Sequence, residues 1–234
     1  MFSPFLPVLP EGIRATVVSY PDDNSLGYDE LLPLVDGSAP DEPYVVLGES
    51  FSGPLALRHA AARPAGLRAV ILVATFGRNP TPWGTAPLLS ALGSLPFRAR
   101  ASKLAIRWLL TGFDAPGGVV DEVVAVSRAV VPRVMSFRLQ EVIAVDVRDQ
   151  LPAITVPVLY LLGTRDRIVG RRGLRGLAEG LEDLQVVEID APHLLLQSHP
   201  AQAYEAIAWF LREKVGVRSK SDAARIEQPE RGEG

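Results

Sequence analysis

Val45–Leu57 reads V-V-L-G-E-S-F-S-G-P-L-A-L, and the fold follows from how this stretch turns. Its first residues are apolar and β-branched, so Tyr44–Gly48 is expected as a short strand. Pro54–Arg63 has helical composition and is closed by Pro64 and Gly66, so a helix is expected there. Strand and helix are joined by a few residues with Ser50 at the apex. Small residues flank it, Gly48 two positions before and Ser52 two after, with Gly53 next.

Outward from this unit the same alternation continues. Ile13–Ser19 (I-R-A-T-V-V-S) is β-branched and predicts a strand, and Tyr28–Val35 a helix weakened by Pro33. Leu67–Thr75, Val156–Gly163 and Leu184–Ile189 are further short apolar strands. Pro200–Lys214 predicts a closing helix, with Tyr204, Ile207, Ala208, Leu211 and Val215 on one face. Near-continuous apolar strands alternating with helices indicate a parallel sheet covered on both faces. The expected fold class is therefore α/β, a doubly wound, mostly parallel sheet of roughly five strands.

Residues 76–155 interrupt the alternation with helix-like segments at Leu88–Leu95, Lys103–Leu110, Val119–Val130 and Met135–Val147. Prolines and glycines punctuate them. This predicts a helical cap inserted into a core made of residues 1–75 and 156–216. The charged stretch 217–234 has almost no large apolar groups and is expected to be disordered.

Composition narrows the function classes. A net charge of −3 lacks the basic field of a nucleic-acid partner. There is no cysteine, which removes disulfides, thiolate catalysis and Cys-ligated zinc. The histidines and carboxylates lack zincin spacing, so no metal and no cofactor are expected. No apolar run approaches the ~18 residues of a membrane span. The first positive side chain is Arg14 and prolines stand at 4, 7 and 10, unlike a secretory leader, which points to a cytoplasmic location. No G-x-G-x-x-G follows an early strand, so a dinucleotide-binding dehydrogenase is not indicated.

Ser50 has two readings. One is a plain strand-to-helix turn with the serine as a helix cap. The other is a nucleophile elbow, where a sharp turn pushes the hydroxyl out of the sheet. In that reading the motif is G-x-S-x-S-G, and the hydroxyl of Ser52 needs a local hydrogen-bond partner. The N–H of Phe51, at the start of the helix, can donate to an oxyanion. A hydroxyl also needs a base. His193, in D-A-P-H-L-L-L-Q-S-H-P, follows the last strand, and Asp166, in G-T-R-D-R-I-V, follows the one before. Three strand ends thus supply Ser50, Asp166 and His193 in the order nucleophile, acid, base. His59 is expected to pack or face solvent and His199 to cap a helix. Asp190 is an alternative acid, disfavoured because it lies three residues from His193.

These three segments resemble those of small bacterial α/β-fold hydrolases, over about Phe2 to Val215. The resemblance implies a Ser50–Asp166–His193 catalytic triad that cleaves an ester or related acyl bond of a small-molecule substrate through an acyl-enzyme, without a cofactor. Apolar cap residues, among them Trp83, Leu88, Leu92, Phe97, Trp108, Leu109 and Phe113, would pack the cap or line its cleft. The pattern departs from the family at its start. Nothing before Ile13 reads as the strand and glycine-rich loop that supply a second oxyanion donor. Low activity, or coding sequence upstream of Met1, is the expectation. An exposed central strand would favour a homodimer. The alternatives are a non-catalytic binding protein of this fold, or an acyltransferase or cofactor-free haloperoxidase with the same triad.

Overall fold

The computed structural model describes residues 2–80 and 102–216. Four strands form one sheet in the order β1-β2-β3-β4: β1 (Tyr44–Glu49), β2 (Leu67–Val73), β3 (Val158–Gly163) and β4 (Leu184–Ile189). Every neighbouring pair is parallel, so all four carboxyl ends lie along one edge. The connections carry α1 (Tyr28–Asp36) before β1, α2 (Gly53–Ala61) after it and α6 (Gly170–Ala178) after β3. Between β2 and β3 run α3 (Lys103–Ile106), α4 (Gly117–Ala129) and α5 (Pro132–Ala144). A short α7 (Leu195–Ser198) and α8 (Pro200–Phe210) complete the described chain, with a π-turn at Leu211–Val215.

The alternation of β2 shows why the sheet needs cover on both sides. Ala69, Ile71 and Val73 face one apolar cluster, together with Leu159, Leu161 and the α8 residues Ala203, Ile207 and Phe210. Val70 and Leu72 face the other, with Val158, Tyr160, Leu57 of α2 and Leu177 of α6. A fully buried aliphatic side chain contributes about 1.5–3 kcal/mol, so these two layers carry the fold.

Two expectations change. Ile13–Ser19 forms no strand, and β1 pairs only with β2 among the described residues. Ile13 and Val17 are each 47% exposed. This segment and the β1 residues Val45 and Leu47 line a cavity of about 810 Å³. A β-branched run becomes a strand only where a neighbouring backbone completes its ladder, and here the cavity lies beside it. Among the described residues the sheet accordingly has four strands. In the insertion, the helices expected from Lys103, Val119 and Met135 are α3, α4 and α5, with α3 running into a π-turn at Arg107–Thr111. The Leu88–Leu95 helix, Trp83, Phe97 and residues 217–234 lie outside the described residues. The two legs of the insertion meet where Val147 N–H donates to Gly77 O (2.8 Å) and Asn79 N–H to Val145 O (3.2 Å).

Candidate active site

The serine turn is sharp and crowded. Ser50 has φ +50°, in the left-handed region that costs a residue with a Cβ roughly 1–2 kcal/mol. Its neighbours have no spare room. A Cβ on Gly48 would come within 2.8 Å of Ser52 O and 2.9 Å of the Ala56 Cβ, and one on Gly53 would overlap the Thr75 side chain. Thr75 is fully buried after β2, and its hydroxyl donates to Ser50 O (2.5 Å). The Thr75 carbonyl in turn accepts from the Tyr160 hydroxyl (2.7 Å). Burial raises the pKa of that phenol and keeps it a donor. The strained turn is thus tied into the sheet by a side chain from the neighbouring strand.

Ser50, Asp166 and His193 meet at the carboxyl edge. Ser50 Oγ and His193 Nε2 are 2.9 Å apart, and His193 Nδ1 and Asp166 Oδ2 are 3.0 Å apart. His193 is buried, while Ser50 remains partly exposed. Burial of Asp166 favours its neutral form, but the hydrogen bond and charge of His193 and the N–H groups of Ile168 and Val169 outweigh it. These two N–H groups donate to Oδ1 at 2.8 and 3.1 Å. The carboxyl pKa is therefore held below its ordinary value. An ionised Asp166 fixes the tautomer in which Nδ1 carries the proton and Nε2 faces the serine.

The other candidates are placed elsewhere. Asp190 lies beside Arg165, with Oδ1 2.9 Å from Nε, and does not bond His193. His59 is buried between Asp36 (2.6 Å) and the Tyr44 hydroxyl (2.7 Å), a polar bridge under α2. The His199 ring makes no cap bond to α8 and contacts Ser198 and the Arg165–Asp114 pair. Among the described residues no group of three His, Asp or Glu is placed to hold a metal ion.

Phe51 is fixed from several sides. Its ring stacks on Tyr28 (4.7 Å) and meets Tyr20 edge-on (6.1 Å), with the Arg138 guanidinium 5.8 Å from its centroid. The Tyr28 hydroxyl donates to Phe51 O (3.2 Å). Phe51 is the second residue of the 3-10 turn at Ser50–Ser52, where N–H groups lack intrahelical acceptors. Ser52 has the partner its hydroxyl needs, the Tyr20 O–H (3.1 Å). Arg138 comes from α5 and also donates to Pro21 O (2.8 Å), so the insertion touches this side of the turn.

The insertion also touches the acid and histidine loops. Arg167 donates to Trp108 O (2.7 Å) and stacks over its ring (4.8 Å), Arg165 pairs with Asp114 (2.7 Å), and Leu194 N–H donates to Leu110 O (2.8 Å). Trp108 and Phe113 are 53% and 58% exposed, so they do not pack the insertion onto the sheet. Sequence reasoning missed Thr75, Tyr20, Arg138, Arg165 and Arg167. The two arginines flank Asp166 in T-R-D-R, a local signal for an acid loop that docks on something.

A family model described as "Alpha/beta hydrolase family" matches residues 2–207. Over 224 residues the chain is 30% identical to a pimeloyl-[acyl-carrier protein] methyl ester esterase of Neisseria meningitidis serogroup B, covering 88% of this chain and 85% of that protein. The fold is similar to an esterase from Exiguobacterium antarcticum, with TM-score 0.69, 17% identity and coverage of 82% and 76% of the two chains. It is also similar to a bromoperoxidase from Bacillus anthracis, with TM-score 0.68, 15% identity and coverage of 83% and 77%.

Proposed function

The chain belongs to the alpha/beta hydrolase family as an esterase-like enzyme, and from that premise we propose that it cleaves carboxylic esters through a Ser50–His193–Asp166 triad and an acyl-enzyme. One observation carries the reading: a continuous hydrogen-bond chain from the partly exposed Ser50 Oγ through buried His193 to Asp166, with the serine on a strained turn. Ser50 Oγ attacks the acyl carbonyl as His193 Nε2 takes its proton. The Phe51 N–H donates to the oxyanion. His193 returns the proton to the leaving alcohol, and Asp166 stabilises the imidazolium between the two transfers. Water then attacks the acyl-enzyme with His193 again as base, and the acid leaves.

The Neisseria relative is named for a methyl ester on a carrier-borne acyl chain, which makes esters of small alcohols on extended acyl chains the substrate class to test first. The exposed Trp108 and Phe113 beside the acid loop favour an apolar substrate group. Fluorophosphonate labelling of the full chain beside Ser50→Ala is the direct test. Labelling that vanishes with Ser50→Ala is expected, together with at least a ~10⁴-fold fall in ester turnover. A chain that labels equally in both forms overturns the triad. A p-nitrophenyl ester series should show rates that depend on acyl length, and a flat series removes the apolar subsite.

A further inference from the structure

Glu49 precedes the serine at the end of β1, and its carboxyl points into the protein, 8% exposed. Gln197 lies in α7, four residues beyond His193, and is 2% exposed. Gln197 Nε2 donates to Glu49 Oε2 at 2.8 Å. The other oxygen on each side chain, Glu49 Oε1 and Gln197 Oε1, is buried without a hydrogen-bond partner. Two orphaned oxygens on directly bonded partners are costly to bury, most of all when one group is charged. Both are acceptors if Glu49 is ionised. One proton changes this: a neutral carboxyl becomes a donor, and an acid and an amide then complement each other with two antiparallel hydrogen bonds.

We propose that Glu49 is a neutral acid paired through two hydrogen bonds with Gln197, a positioning pair that braces the serine's strand end against the histidine's loop and loosens when Glu49 ionises. The brace joins residues 148 positions apart, and each sits next to or within four residues of a group that must hold the 2.9 Å Ser50–His193 contact. A displacement of about 1 Å at such a contact costs up to ~10²-fold in rate. The electrostatics run the same way. Burial raises the Glu49 pKa to about 7 against the bond from Gln197, the charge of His193 and the Leu196 N–H, which favour the carboxylate. Glu49 also lines the 810 Å³ cavity, which gives its proton a route of exchange.

The pair rests on the triad reading for its effect on rate, but its protonation does not. The first measurement is therefore ¹³C NMR of full-length protein labelled at glutamate carboxyls, with the Glu49 signal identified by its loss in Glu49→Gln and, independently, in Glu49→Asp. A carboxyl still neutral at about pH 6 and titrating near neutrality is expected. A signal ionised down to about pH 5, like that of an ordinary glutamate, overturns the pair. The second is the pH profile of ester turnover. The wild type should lose rate as Glu49 ionises, with KM little changed. Glu49→Gln, whose amide keeps both bonds at every pH, should lack that limb, and Gln197→Leu should be slower by about 10-fold on its acidic side. An unchanged alkaline limb in Glu49→Gln overturns the link to the site even where the NMR result stands. Folding stability follows the same titration. Because the folded pKa lies above the unfolded one, Glu49 lowers stability as pH rises from about 4.5 to 7, and Glu49→Gln should remove that decline.

Discussion

The sheet has two contrasting margins. Along its carboxyl edge, the loops after β1, β2, β3 and β4 are tied to each other through side chains: Thr75 to Ser50, His193 to Ser50 and to Asp166, Gln197 to Glu49. Along the flank of β1, no strand pairs with its outer side among the described residues, and Ile13–Ser19 faces an apolar cavity in an exposed, irregular form. The first margin is closed by hydrogen bonds between chemically specific groups. The second has β-propensity, apolar surface and, among the described residues, an exposed Arg14–Glu42 ion pair (3.0 Å). Propensity leaves a segment ready to pair, whereas complementary donors and acceptors fix where it goes.

The largest effect that sharpens this contrast is at Asp166. Asp166→Asn should lower kcat by about 10⁴-fold and leave the fold intact. The Asn oxygen can still accept from Ile168 and Val169, but the amide no longer holds the His193 tautomer or stabilises its charge. A steady-state assay with circular dichroism checks both halves. Loss of the fold together with activity would make Asp166 a structural anchor instead. Next comes Gly53→Ala. Its Cβ would meet Thr75, which is buried and has nowhere to retreat. Overpacking of this kind costs about 1–3 kcal/mol, and Thr75 would also give up its bond to Ser50 O. A fall in melting temperature of several degrees, with slower fluorophosphonate labelling, is expected. A wild-type melting temperature would mean that the turn has more slack than its contacts imply.

The legible parts of the molecule were those encoded locally. The four paired strands are short apolar runs, and the serine turn carries its own spacing of Gly48, Ser50, Ser52 and Gly53. Asp166 and His193 could be chosen because strand ends in a parallel sheet share one edge. The supports of the site were not legible, because they act across the chain. Thr75 reaches Ser50 over 25 residues, Tyr20 reaches Ser52 over 32, and Gln197 reaches Glu49 over 148. No periodicity connects such positions. For Trp108 and Phe113 the sequence leaves packing and cleft lining both open, since apolar character alone does not distinguish them, and in the structure both are more than half exposed. Ile13–Ser19 has the composition of a strand, and composition cannot supply the neighbouring backbone.

The smallest expected effect is the one that can break the comparison. Ile13→Ser replaces a large apolar group that is 47% exposed and belongs to no strand. Surface changes of this kind shift stability by no more than about 0.5 kcal/mol. Ile71→Ser, in β2 and 3% exposed, removes comparable apolar volume from the buried face of the sheet, where Ile71 lines the same cavity, and adds a buried hydroxyl, so it should cost about the ~2–5 kcal/mol of an aliphatic-to-alanine change. The two variants have the same chemistry and differ in whether the side chain sits on a paired strand or in the unpaired segment beside β1. Denaturant midpoints measured side by side give the ratio directly. If Ile13→Ser costs as much as Ile71→Ser, then the segment buries Ile13 in solution, either against β1 or against a second chain, and the flank of the sheet is a packed surface rather than an open one. A dependence of that cost on protein concentration would assign the burial to association, and its absence would assign it to Ile13–Ser19 closing over the cavity within one chain.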